Sequence, residues 1–194
     1  MEVKARIISG WDNALSAARF TVGKATPEGK MPSAEWKHKM CASEHSPLRE
    51  VVYRVECYDV PRRAMSHLVR HHEGIEKFVH TSRPDRNPNA DPNLVNVAFT
   101  INAQALIQIS RVRLCNKAWY ETKTLWECII ESISEIDQIV VKYCAPNCLY
   151  RLGICPETPS CDYVTSDGWK AKSRAYIELF KKNNQCHISS GKSF

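Results

Sequence analysis

Between Pro61 and Gly74 this chain sets Arg62, Arg63, His67, Arg70, His71 and His72 in one short stretch, and Ser82 and Arg83 follow shortly behind. A guanidinium presents a planar fork of donors that matches phosphate oxygens, and an imidazole donates a hydrogen bond or carries a proton near neutral pH. Grouped at a helix end, these side chains would form a wall for an anionic ligand. A solvated basic helix end that offsets the backbone dipole would have the same composition, so both readings stand at this point.

Cysteine supplies the second chemical group. The chain has nine, an odd number, and with no basic-then-apolar run read at Met1 a secretory leader is not expected, which argues against a disulfide framework. Cys144, Cys148, Cys155 and Cys161 fall in YCAPNCLYRLGICPETPSC, and Cys115 lies earlier, on the helix that also carries Arg113. Thiolates in this number suit a tetrahedral metal, most simply a structural zinc, although the tight C-x2-C knuckle is missing. Cys115, Cys148, Cys155 and Cys161 are the expected ligands, because Cys144 falls at the end of a long apolar stripe that would bury it. Free thiols are the alternative. Cys186 and His187 would be a replacement pair or part of a flexible tail over 183–194, the tail being preferred.

Several elements must position these groups. Val3, Ala5 and Ile7 alternate as a short strand, and Asp12 would cap a helix with Ala14, Leu15, Ala18 and Val22 on its apolar face. A further helix is expected from Pro32 or Ser33 to Ser43. Tyr53, Val55 and Cys57 alternate with Arg54 and Glu56, the clearest strand, which leads to a helix opening at Pro61 and stopping at Gly74. Residues 82–93, rich in proline and asparagine, read as a loop. Leu94 to Ile101 is another strand, after which Asn102 caps a helix that puts Leu106, Ile109 and Arg113 on one face. A single long helix from Lys117 to Tyr143 is expected from the stripe Leu125, Ile129, Ile133, Ile136 and Val140. Pro146 ends it, a cysteine-rich connector covers 144–161, and a last helix from Trp169 to Lys182 would use Ala171, Ala175, Ile177 and Phe180 for contact.

The run HSPLREVVYRVECYDVPRRAMSHLVRHH, His45 to His72, resembles the segment of flavin-dependent thymidylate synthases in which His-Ser-Pro precedes a strand and then a helix ending in Arg-His-Arg. Here His72 stands for the final arginine. The family's following Asn-Glu and Arg-Tyr pairs are missing, and Ser82 and Arg83 are the nearest counterparts, Arg83 one residue late. A second block, NAQALIQISRVRLCNKAWYE, is similar to the family's second helix and keeps the spacing of Asn102, Arg113, Ala118 and Glu121. The helix pair that the family places near residues 82–93, with a further phosphate-gripping arginine, has no room in this chain.

The resemblance implies an α/β fold, a small mostly antiparallel sheet flanked by helices, as one domain over 1–194 and assembled as a homotetramer with shared sites. It implies that Arg70, His71, His72, Asn102, Gln108 and Lys117 meet FAD, and that His67, Ser82, Arg83 and Arg113 meet a pyrimidine nucleotide monophosphate. Arg113 would be the catalytic residue, since a fixed guanidinium beside a uracil carbonyl stabilises charge developing in the ring. A surface arginine paired with Glu121 or Glu127 is the alternative. The implied reaction moves a one-carbon unit from methylenetetrahydrofolate to C5 of deoxyuridylate, with NADPH as reductant and a methyl or hydroxymethyl outcome. A protein that keeps the nucleotide pocket and has lost the chemistry is the other reading, and compactness hints at a viral or phage source. Length and ordinary composition fit one soluble cytoplasmic domain, with no apolar run of ~18 residues for a membrane span. The net charge of +6 is spread along the chain, which suits phosphorylated ligands and does not indicate nucleic acid.

Overall fold

The computed structural model describes residues 1–184 of the chain. Its centre is an antiparallel sheet in the order β1-β2-β4-β3, formed by β1 (Glu2–Ser9), β2 (Val52–Pro61), β3 (Ile75–Val79) and β4 (Leu94–Asn102). Alternation dictates how the middle strands sit: Tyr53, Val55 and Cys57 of β2 are buried beside Ile101, Phe99 and Val97 of β4, with Arg54 and Glu56 on the opposite face. The β2–β4 register shifts between Cys57 and Val60, where Asp59 takes a φ of 53° and its N–H donates to Asn96 Oδ1 at 2.9 Å. Of these strands only β3 was not foreseen. It lies at a sheet edge with Ile75 alone buried, so its sequence IEKFV carries almost no inward pattern to read.

Eight helices accompany the sheet in the described residues: α1 (Trp11–Phe20), α2 (Ala34–Ser43), α3 (Arg62–Leu68), α4 (Ala103–Arg113), α5 (Tyr120–Ser134), α6 (Gln138–Val141), α7 (Asn147–Tyr150) and α8 (Asp167–Asn184). Leu106 and Ile109 of α4 and Leu125, Trp126, Ile129 and Ile133 of α5 join the buried side chains of β2 and β4 in one core. Asn102 caps α4 as expected, its Oδ1 accepting from the N–H of Ala105 at 2.8 Å, and Ser33, at the expected start of α2, caps it by accepting from the N–H of Trp36.

Other boundaries moved for identifiable reasons. The helix expected over 117–143 is broken by Asp137, which is buried and accepts from Trp11 Nε1 at 2.7 Å and Tyr53 Oη at 2.8 Å. Its other oxygen caps α6 through the N–H groups of Ile139 and Val140. A carboxylate with four donors in the core overrides the apolar period, and Ile136, expected in the stripe, is 38% exposed. The helix expected to run from Pro61 to Gly74 is only α3, with Pro61 as its cap, and Arg70 to Gly74 form a loop into β3. Gly10, not Asp12, caps α1, and Val22 lies past its end, exposed. On α8 the buried side chains are Ser173 and Tyr176, whereas Ala171 and Ala175 face outward. Cys186 and His187 lie outside the described residues, as does most of the tail expected over 183–194, whose first two residues are helical.

Candidate functional site

Leu68 is fully buried at the end of α3 and fixes where the basic segment leaves the helix. Gly74 fixes where it returns. Its φ is 69°, its carbonyl accepts from the N–H of Asn102 at 3.0 Å, and a Cβ there would stand 2.5 Å from Asn102 Nδ2 and 2.8 Å from Ala105 Cβ. Only glycine combines that backbone region with that close approach. The 70–74 loop is thereby laid along the N-terminal half of α4, and a cavity of about 370 Å³ opens between them. Its polar wall is Arg70, His71, His72 and Glu73, faced by Gln108, and Ala105, Ile109 and Val112 form an apolar floor.

Behind this wall sits Arg113, buried at 8% exposure. Its Nε donates to His71 Nε2 at 2.9 Å and its Nη2 to the His67 carbonyl at 2.6 Å. A guanidinium has no lone pair to offer, so His71 Nε2 must be the acceptor, and the neutral ring then carries its proton on Nδ1. Burial, helped by the charges of Arg113, Lys77 and His72, lowers the His71 pKa to about 4. Burial, and then Arg70, also lowers that of Arg113. Lys77 of β3 ties down the loop by donating to the His71 carbonyl. The product is a neutral histidine held rigidly in a cationic wall, a donor at neutral pH and not a charge.

The expected site residues divide accordingly. Arg70, His71, His72 and Gln108 share one cavity, while Arg113 supports it from beneath without lining it. Arg113 meets neither acid suggested for it: Glu127 pairs with Lys123 at 3.7 Å and Glu121 accepts from Trp119. His67 contributes its carbonyl, and Asn102 is the cap of α4, packed on Gly74. Lys117 is exposed and off the cavity. Ser82 and Arg83 are not brought to it within one chain, because β3 carries the backbone about 16 Å away from Gly74. Ser82 instead borders a separate cavity of about 220 Å³ with Arg62 and His80, and Arg83 pairs with Asp85 at 2.9 Å. The sequence reading takes Gly74 as a stop and places Ile109 on the face of Arg113, but it does not single out Lys77, Ala105 or Val112. A glycine between a cationic run and an alternating stretch was the available signal.

The four cysteines named as ligands line one small void of about 10 Å³, while Cys144 stays apart and donates to the Val140 carbonyl at 3.8 Å. Burial, and then the neighbouring Cys115, Cys155 and Cys161, raise the Cys148 pKa. Among the described residues, no three His, Cys, Asp or Glu side chains are placed so that they could hold a metal ion. A larger cavity, about 780 Å³, lies by α5 and α8 with Lys123, Lys142, Leu149 and Tyr176 in its lining. It contains none of the residues of either sequence block that carry the expected flavin or nucleotide contacts, so the smaller cavity is the better candidate. Among the described residues no helix is long and apolar enough to cross a membrane.

No protein-family model and no curated protein matches the sequence. Solved structures do match the fold. A flavin-dependent thymidylate synthase, ThyX, from Helicobacter pylori, complexed with FAD and dUMP, aligns at a TM-score of 0.60 with 19% identity, covering 75% of this chain and 100% of that one. A second structure of the Helicobacter pylori protein with FAD and dUMP gives 0.61 and 18%, over 74% of this chain and 99% of that one. A UMP/dUMP methylase, PolB, from Streptomyces cacaoi, bound with 5-Br dUMP, gives 0.55 and 11%, over 73% and 94%. Identities this low speak to architecture, and on architecture they agree with the two sequence blocks: the chain has the α/β fold of the flavin-dependent thymidylate synthases.

Proposed function

We propose that the cavity between the 70–74 loop and α4 binds part of FAD, and that the chain transfers a one-carbon unit from methylenetetrahydrofolate to C5 of deoxyuridylate or a related pyrimidine monophosphate. The observation that carries this reading is the meeting of two distant sequence blocks, Arg70 to His72 and Gln108, around one cavity, with Arg113 locked onto His71 at 2.9 Å. The residues suit the group. Exposed Arg70 and His72 offer positive charge and donors to phosphate oxygens, Gln108 can both donate and accept, and the floor of Ala105, Ile109 and Val112 suits a flat ring.

FAD, when bound, supplies the hydride and one-carbon chemistry, with NADPH as reductant. The chain's own contribution is positional. His71 presents its Nδ1–H as a fixed donor, and Arg113 keeps that tautomer by occupying Nε2. Ile109 and Val112 give a bound ring an apolar surface to pack on. Beyond Arg70 and His72, the nucleotide phosphate would need donors that one copy does not bring to this cavity. A homotetramer with shared sites would let Ser82 and Arg83 of another copy supply them.

A specific observation favours a second reading, a nucleotide-binding protein without the chemistry: Arg113 is engaged by His67 and His71 and does not face the cavity. One assay separates the two. With FAD, NADPH and methylenetetrahydrofolate, release of tritium from C5-labelled dUMP is expected. Flavin and nucleotide binding without release would select the second reading, and no binding of either would refute both.

A further inference from the structure

The cysteines meet at a stretch with little else to hold it. From Arg151 to Asp162 no residue is buried and there is neither helix nor strand, with Leu152 and Ile154 exposed at 65% and 68%. A stretch of this length without secondary structure ordinarily has an anchor of its own. Apolar packing does not provide it here. Instead Cys155 and Cys161 from this stretch, Cys148 from α7 and Cys115 just past α4 surround the one void of about 10 Å³. That is room for about one water-sized sphere, enough for an ion and far too little for an organic ligand. The N–H of Lys117 also donates to Cys115 Sγ at 3.5 Å.

We propose that Cys115, Cys148, Cys155 and Cys161 form a structural zinc site that fastens the 151–162 segment to the end of α4. The thiols stand around the void but not at ligating positions, so binding requires them to turn about their Cα–Cβ bonds toward its centre. Four thiols lose four protons and make four Zn–S bonds, leaving two net negative charges on the site in a chain of net charge +6. Zinc has no preference against tetrahedral sulfur and needs no redox partner. The proposal stands apart from the flavin reading, since none of these residues lines that cavity.

The test uses the full chain purified without chelator. Metal analysis is expected to give one zinc per chain, with four thiols that resist alkylation until a strong chelator removes the metal. Cys161→Ser, at an exposed position, should abolish zinc binding and speed protease cleavage within 151–162 about tenfold, while Cys128→Ser leaves both unchanged. Should Cys161→Ser fail to fold, alkylation and native mass of the unaltered protein decide alone. A metal-free protein with all four thiols freely alkylated, a mass two hydrogens lighter that marks a disulfide among them, or iron in place of zinc would each overturn the proposal.

Discussion

Arg113→Ala removes two hydrogen bonds from a buried cation, and its cost can be worked from the geometry. Each such bond contributes roughly 1.5–3 kcal/mol, and the loss of a buried charge returns part of that, so a destabilisation of about 3 kcal/mol is expected. Arg113→Lys, which cannot reach His67 and His71 together, should lose about half as much. The partner reports on the same event. His71 is shifted from 6.5 to about 4, with burial the first cause and Arg113 the second. In the variant its titration should therefore move upward without reaching the ordinary value.

The sign of the pH effect follows. A folded-state pKa below the unfolded one means that between pH 6.5 and 4 the unfolded chain takes up a proton the folded chain refuses. This contribution to stability is complete above about 6.5 and is lost as the pH falls toward 4. At about 1.4 kcal/mol per unit, and discounted by half because the ring is only partly screened from solvent, it amounts to roughly 1.7 kcal/mol. Urea unfolding at neutral and acid pH, with NMR titration of the imidazole, measures both quantities. A His71 that titrates near its ordinary value in the unaltered protein, or an Arg113→Ala variant that loses less than about 1 kcal/mol, would refute the argument.

Gly74→Ala should destabilise by about 2 kcal/mol or more in urea unfolding, since a methyl group at φ 69° would stand 2.5 Å from Asn102 Nδ2, and it should weaken FAD binding by displacing the loop. Asp137→Ala leaves the donors of Trp11 and Tyr53 buried without an acceptor and should cost about 3 kcal/mol or more, read as a fall in the urea midpoint. Arg70→Ala, at an exposed position, should change stability by no more than about 0.5 kcal/mol by the same measure.

The sequence announced its elements wherever one face is buried. β2 and β4 alternate because their inner faces meet the helices, and Asn102 declares itself a cap because asparagine has few other reasons to precede such a helix. What it could not announce were relations between distant residues. Asp137 looks like one more polar residue in a helical stripe until Trp11 and Tyr53 arrive from elsewhere in the chain. Arg113 was legible as important, through its spacing from Asn102, but the side chain it faces was not, because the end of α3 and the turn at Gly74 decide that. β3 escaped notice because an edge strand with one buried residue has almost no periodicity. Four of the nine cysteines were picked out by position, with Cys144 set aside at the end of the apolar stripe, and their shared void shows only in three dimensions.

The central claim is that the wall of Arg70 to His72, backed by Arg113, receives the flavin. Titrating the protein with FAD and following the quenching of flavin fluorescence tests it directly, in the unaltered chain and in Arg70→Ala. The account expects saturable binding, weakened about tenfold or more by the substitution, a change of about 1.4 kcal/mol. No binding by the unaltered chain, or binding that Arg70→Ala leaves untouched, would contradict it.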